Sequence, residues 1–267
     1  MNIEKLYRAS SCEDALKTLK EDPKNVIVGG GTWLKLTGRE IKTAILLDDL
    51  SLDTISTSDD VITIGAMTPL HKIEQQDELR TMYDGLFDKT LKQVMGVGLR
   101  NMATIGGTIA GRYGFSDIIT SLLAMDARVV FYQKGEMQLE TFLKTRGKLD
   151  DLLISVKIPR REGRGFFKKV ATTQLDFAQL NLAITKSNEA TYIVIGSRPG
   201  IAQNASKAAR FVVEQKHLDD SVIKVATDIA LNEVTLSSNN KASSSYRERL
   251  ARTYIERGLK AVFNDES

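Results

Sequence analysis

The pattern of apolar and polar positions divides the chain into short strands and helices that alternate from its beginning. Within the first fifty residues, CEDALKTLKED has helical apolar spacing and follows Ser11, a residue suited to a helix N-cap. The apolar runs in NVIVGGGTWLKL and TAILLDD indicate two buried strands around a glycine-rich break. This part of the chain is therefore predicted to form a β-α-β unit.

The same pattern continues with mixed strands and helices to the end of the chain. Helices are predicted over DIITSLLAMDA and near Gly85–Met95, and LNLAITKS with ATYIVIGS is typical of a β-hairpin. A last helix covers SYRERLARTYIERGLKAVF, where Ser245 and Glu248 suit a capping box. The predicted fold class is α+β in two or three lobes, with a boundary near Arg160–Arg164.

Composition removes several classes of function from consideration. The chain has 267 residues, a net charge of +3 spread along its length, and a single cysteine, Cys12. Cysteine-ligated clusters and internal disulfides are therefore excluded, and the separated His71 and His217 suggest no metal site on this chain. We expect no nucleic-acid partner, no membrane segment and a cytoplasmic location.

Two glycine-rich segments are the candidate ligand-binding sites. In VGGGTWL, Gly29, Gly30, Gly31 and Thr32 directly follow a buried strand. Their backbone N–H groups could converge on a phosphate, although a tight turn would use the same residues. The segment is not a P-loop because Lys35 stands between two leucines, and TWLKLTG does not continue a Rossmann fingerprint.

The second segment, TIGGTIAG, is expected to form another glycine loop. It is followed by FSD, in which Ser116 and Asp117 suit the N-terminus of a helix. Two such loops suit a ligand with two phosphates, and a nearby carboxylate suits the hydroxyl groups of its sugar.

Longer stretches of the sequence resemble a known family. RNMATIGGTIAGRYGFSDIITSLLAMDARV is similar to a stretch typical of FAD-binding medium subunits of molybdenum hydroxylases, the xanthine dehydrogenase and carbon monoxide dehydrogenase group. VGGGTWL resembles their first flavin loop, and SSYRERLARTYIERGL resembles their C-terminal helix. The chain departs from the family at Thr108, where asparagine is usual, at GRYGFSD, and in IGSRPGIAQNASKAA.

The resemblance implies a fold of the vanillyl-alcohol-oxidase/UDP-N-acetylenolpyruvoylglucosamine-reductase type with a C-terminal α/β lobe. It implies an N-terminal FAD-binding subdomain over residues 1–55 and a middle one over 56–163, with FAD between them. Residues 164–267 would form the C-terminal lobe.

The resemblance also implies which residues bind FAD. The first segment would wrap the pyrophosphate, and the second would add a wall of backbone donors. Asp117 would bind ribityl or ribose hydroxyls, Leu153 would pack near the flavin ring, and Lys168 or its rival Lys169 would stabilise the reduced anionic ring. The implied binding residues are Val28, Gly29, Gly30, Gly31, Thr32, Trp33, Leu34, Thr104, Ile105, Gly106, Gly107, Thr108, Asp117, Leu153 and Lys168.

The implied function is electron transfer within a xanthine dehydrogenase-like oxidoreductase. The partners would be a molybdopterin-binding large subunit and a [2Fe–2S] small subunit, and NAD is a common final acceptor. No catalytic side chain is expected on this chain because the flavin carries the chemistry. Two alternatives stay open: a self-standing flavin oxidoreductase of the same fold, and an assembly subunit that has lost FAD.

Overall fold

A computed structural model describes residues 2–263 of the chain. The described residues form two compact units, one made of residues 2–73, 96–111 and 128–158, the other of residues 74–95, 112–127 and 159–263. The three-part division predicted from the sequence stays a prediction. None of the described helices is both long and apolar enough to cross a membrane.

The strands and helices follow one another in the order expected for an α+β chain. In chain order they are β1 (Asn2–Arg8), α1 (Cys12–Glu21), β2 (Val26–Val28), β3 (Glu40–Leu46), β4 (Ile55–Thr57), β5 (Val61–Gly65), α2 (Leu70–Glu74), α3 (Asp77–Leu91), α4 (Val97–Met102), α5 (Ile105–Gly111), α6 (Asp117–Ala124), β6 (Arg128–Phe131), β7 (Gly135–Gln138), α7 (Leu139–Lys144), β8 (Leu153–Pro159), β9 (Gly163–Val170), β10 (Leu180–Ser187), β11 (Thr191–Gly196), β12 (Gln203–Asn204), α8 (Ser206–Val213), α9 (Asp220–Glu233) and α10 (Ser244–Phe263).

The first unit contains the predicted β-α-β arrangement. Strands β1, β3 and β2 form a parallel sheet in that order, and α1 connects β1 to β2. Ser11 caps α1 by accepting a hydrogen bond from the N–H of Asp14, as the sequence predicted. The buried side of α1, with Leu16 and Leu19, packs with Ile45 of β3. This sheet positions the glycine segment that follows β2.

A second sheet of the first unit has the order β4-β5-β8-β6-β7. Its strand β5 ends at Gly65, where the chain turns back along the carbonyls of Leu52 and Thr54. The N–H of Ala66 then donates to Ile154 of β8, which fixes the turn at the edge of this sheet. This turn supports the N-terminus of α5.

The second unit is built on the sheet β12-β11-β10-β9, whose central hairpin of β10 and β11 was predicted from the sequence. Side chains alternate between its faces, so neighbours in one strand meet different helices. Leu182 and Ile184 of β10 belong to an apolar cluster that includes Ile255 and Leu259 of α10. The opposite face carries polar residues and is covered by α6 and α3.

Helix α10 begins with a different cap from the predicted one. The hydroxyl of Ser243, and not that of Ser245, accepts a hydrogen bond from a backbone N–H, that of Tyr246. The carbonyl of Ser243 also accepts the N–H of Arg247. The predicted capping box of Ser245 and Glu248 is therefore wrong by two positions. Three consecutive serines could each cap the helix, and the residue at which the helix begins decides which one does.

Ser243→Ala is expected to lower the free energy of unfolding by about 1 kcal/mol, since it removes the N-cap acceptor of α10. Ser245→Ala is the matched control, and its effect should be less than half as large. Urea denaturation of both variants, followed by circular dichroism, measures the two values. Equal effects would contradict the cap assignment.

Candidate functional site

The first glycine segment presents a run of unused backbone donors. It follows β2, and Gly31 has a φ of +65°, a conformation that glycine adopts without strain. Within residues 2–263, no acceptor takes a hydrogen bond from the N–H groups of Gly29, Gly30, Gly31 or Thr32. Trp33 and Leu34 then begin a single 3₁₀ turn. Consecutive free N–H groups are the kind of donor by which a backbone loop can bind an anion.

The second glycine segment packs directly against the first within the same unit. A Cβ atom added to Gly29 would lie 2.5 Å from Oγ1 of Thr104, and one added to Gly30 would lie 1.5 Å from the carbonyl oxygen of Met102. Only glycine allows these two backbones to approach so closely. The structure thus brings together the two segments that the sequence singled out.

The second segment is a helix and not the predicted loop. Thr104 caps α5 by accepting the N–H of Gly107 at 3.1 Å. Gly106 is required because its added Cβ would lie 2.5 Å from the carbonyl oxygen of Ala66. The glycines therefore serve close packing of a helix on the turn after β5, which overrides their poor intrinsic helix propensity.

In the helical form, the N–H groups at the start of α5 have partners within the protein. The N–H groups of Ile105 and Gly106 donate to Thr68 and Ala66, and the N–H of Thr108 donates to Thr104. With Gly107 bonded to the Thr104 hydroxyl, these four N–H groups are all used inside the protein. No N–H group from Ile105 to Thr108 is therefore free for the expected wall of backbone donors, and the part this segment plays in binding FAD stays a prediction.

The second unit holds a buried polar cluster that includes Asp117. Ser116 caps α6, and Asp117 at its first position is 7% exposed. Its carboxylate accepts hydrogen bonds from Nδ2 of Asn181 at 2.6 Å and lies 3.3 Å from Nζ of Lys169. Burial raises the pKa of Asp117 above its ordinary value, while Lys169 and Asn181 act in the opposite direction.

The two candidate lysines of β9 lie on opposite faces of the sheet. Lys169 is 5% exposed and donates to the carbonyl of Gln93 as well as pairing with Asp117. Nζ of Lys168 stands 5.4 Å from the ring centroid of Tyr254 on α10. The structure therefore brings Lys169 to Asp117 and does not bring Lys168 there. Leu153 is buried at the start of β8, paired with Phe131 of β6.

A glycine segment with free N–H groups directly after a strand is the arrangement by which many proteins bind the phosphates of a cofactor. A family model described as the FAD binding domain in molybdopterin dehydrogenase matches residues 1–161, and one for the CO dehydrogenase flavoprotein C-terminal domain matches residues 165–262. The chain belongs to this family of FAD-binding subunits. It is the flavoprotein subunit of a molybdenum hydroxylase-type oxidoreductase.

Related proteins match over most of their length. The chain is 29% identical over 233 residues to "Uncharacterized protein YgfM" of Escherichia coli K12, with 86% of each chain covered. It is 25% identical over 277 residues to the glyceraldehyde dehydrogenase medium chain of Sulfolobus acidocaldarius, with 96% of each covered. The structure of carbon monoxide dehydrogenase from Hydrogenophaga pseudoflava contains a chain with the same fold, with a TM-score of 0.87 at 19% identity over 98% of this chain and 97% of that one.

Sequence reasoning missed two contributors to these sites. Met102 supplies the backbone carbonyl against which Gly30 packs. A contact between two backbone groups leaves no side-chain pattern from which it could be predicted. Asn181 is fully buried near the start of β10. Its signal was available, because an amide flanked by two leucines in an otherwise apolar strand needs buried hydrogen-bonding partners.

Proposed function

We propose that this subunit receives electrons from [2Fe–2S] clusters of a partner subunit and passes them through FAD to NAD or another acceptor. The proposed complex is xanthine dehydrogenase-like, with a molybdopterin-binding large subunit as the third component. Support comes from the family model and from relatives whose names describe one chain of a multi-subunit dehydrogenase, such as the 6-hydroxypseudooxynicotine dehydrogenase complex of Paenarthrobacter nicotinovorans. A cytoplasmic location is part of the same proposal.

One observation carries the FAD assignment to particular residues: the four free N–H groups from Gly29 to Thr32. FAD has a pyrophosphate with two negative charges, and a concave run of backbone donors binds such a group without a side-chain charge. The residues therefore fit the cofactor. FAD supplies the chemistry, since it accepts and gives up electrons one or two at a time.

The side chains expected to bind the rest of the cofactor are assigned by the same proposal. Asp117 would accept hydrogen bonds from hydroxyl groups, and Thr108 would offer its own hydroxyl in place of the usual asparagine. Because Lys169 shares a sheet face with Asp117, we favour it over Lys168 as the cation near the flavin ring. Leu153 remains the proposed apolar contact of the ring.

The experiment is reconstitution of the purified chain with FAD, followed by desalting and absorbance spectroscopy. We expect one FAD per chain, with bands near ~370 and ~450 nm that persist after desalting. Reoxidation of the photoreduced protein by NAD⁺ then tests the acceptor. Addition of purified molybdenum and [2Fe–2S] partner subunits tests whether electrons reach this flavin.

Two other results would redirect the function. A folded chain that stays colourless at saturating FAD would contradict the cofactor role and favour an assembly subunit. A flavin-loaded chain that turns over a small substrate without partner subunits would favour a self-standing oxidoreductase. The free N–H groups from Gly29 to Thr32 argue against the loss of FAD.

A further inference from the structure

Asn181 occupies the centre of the polar cluster in the second unit. It is 0% exposed and lies on the face of β10 that α6 covers. Its Nδ2 group donates to Asp117 at 2.6 Å and to Oγ of Ser197 at 3.3 Å. Its Oδ1 atom accepts from Oγ1 of Thr120 at 2.8 Å. Both amide protons and the amide oxygen are therefore used inside the protein.

The neighbouring strand β11 has a glycine, Gly196, beside the Asn181 amide. A Cβ atom added to Gly196 of β11 would lie 2.1 Å from Oδ1 of Asn181 and 2.2 Å from Oγ1 of Thr120. Glycine at this position therefore leaves space that the polar group fills. A leucine at 181 would bury apolar area without requiring three polar partners, so the amide is not explained by core packing alone.

The two charged members of the cluster keep unused hydrogen-bonding capacity. A carboxylate can accept about four hydrogen bonds and an ammonium donates three. Asp117 interacts with Asn181 and Lys169, and Lys169 interacts with Asp117 and the carbonyl of Gln93. Within the described residues, at least one acceptor position of Asp117 and one donor of Lys169 have no partner.

We propose that Asn181 is a positioning residue for FAD: it fixes the carboxylate of Asp117, which in turn fixes the ammonium of Lys169 toward the cofactor. Asn181 itself does not touch the cofactor, because its three groups are occupied. This inference rests on the proposed binding of FAD by Asp117 and Lys169. It adds a residue outside the glycine segments that sets how tightly the flavin is bound and how easily it is reduced.

A matched control exists on the same strand. Thr185 also lies on the α6 face of β10, is 1% exposed, and donates to the carbonyl of Ala124 at the end of α6. Asn181 and Thr185 therefore bond β10 to opposite ends of the same helix. Thr185→Val removes a buried hydrogen bond of the same interface but leaves Asp117 and Lys169 untouched.

The experiment measures FAD affinity by quenching of flavin fluorescence, and the midpoint potential of the bound flavin, for the wild type, Asn181→Leu, Asn181→Ser and Thr185→Val. Both Asn181 variants are expected to bind FAD about ten- to a hundredfold more weakly, since each removes a hydrogen bond to a buried charge. Their potential should rise, because a carboxylate that protonates more readily compensates less of the lysine charge. Thr185→Val should bind FAD within about threefold of the wild-type affinity, and the midpoint potential of its bound flavin should not change.

The outcomes separate this inference from the proposed function. Wild-type chain that binds no FAD would overturn the function itself. Wild type that binds FAD, together with a folded Asn181→Ser that matches it in affinity and potential, would overturn the role of Asn181 alone. Equal losses in Asn181→Ser and Thr185→Val, with unchanged potentials, would also overturn it, since a purely structural contribution predicts that result.

Discussion

Arg247→Met is expected to lower the free energy of unfolding by roughly 3–5 kcal/mol, because it leaves several buried acceptors without a donor. Arg247 is 1% exposed, and none of its hydrogen-bond partners among residues 2–263 is a carboxylate. It donates instead to four backbone carbonyls and one side-chain amide, those of Gln179, Ser197, Ser237, Ala242 and Asn239. Methionine would leave all five acceptors without this donor.

Arg252→Met on the same helix is the control. Its guanidinium pairs with Asp228 at 2.6 Å, but the side chain is 41% exposed, so the loss should stay below about 1 kcal/mol. Guanidinium chloride denaturation of both variants gives the comparison. Similar midpoints for Arg247→Met and Arg252→Met would show that the carbonyl network contributes little to stability.

Gly30→Ala is expected to weaken FAD binding by at least about a hundredfold, equivalent to roughly 3 kcal/mol. The added methyl group would meet the carbonyl oxygen of Met102 at 1.5 Å, so one of the two backbones must move. Either movement disturbs the run of free N–H groups that we propose binds the pyrophosphate. A fluorescence titration with FAD measures the loss.

Gly98→Ala provides the comparison, because nothing lies within 4 Å of the position of its added Cβ in helix α4. It should bind FAD like the wild type and gain up to about 1 kcal/mol of stability from the better helix propensity of alanine. Unchanged FAD affinity in Gly30→Ala would contradict the placement of the phosphate site.

The elements with a strong local pattern were predictable from the sequence. The β-α-β start, the Ser11 and Ser116 caps and the β10–β11 hairpin all follow from periodicity and side-chain chemistry. The two glycine segments were interpreted as two sides of a site for one ligand with two phosphates. The structure shows that these segments pack against each other, and the ligand stays a prediction.

The parts that failed depend on tertiary contacts. Gly106 and Gly107 indicated a loop, but they lie in a helix. Glycine is needed at both positions because an added Cβ would meet Ala66 or Thr104. The buried side of α10 contains Arg247, a residue type that an apolar pattern does not place in a core, and its acceptors include the carbonyl of Gln179, which is distant in sequence. No local rule anticipates such acceptors.

The boundary between the two matched segments does not coincide with the boundary between the two compact units. Helices α3 and α6 cover the polar face of the sheet in the second unit, yet both belong to the segment matched by the FAD-binding model. A gene fragment encoding residues 165–262 alone would expose Lys169, Asn181 and Thr185 of that face to water. Residues 165–262 therefore depend on helices of the preceding segment to keep this face buried.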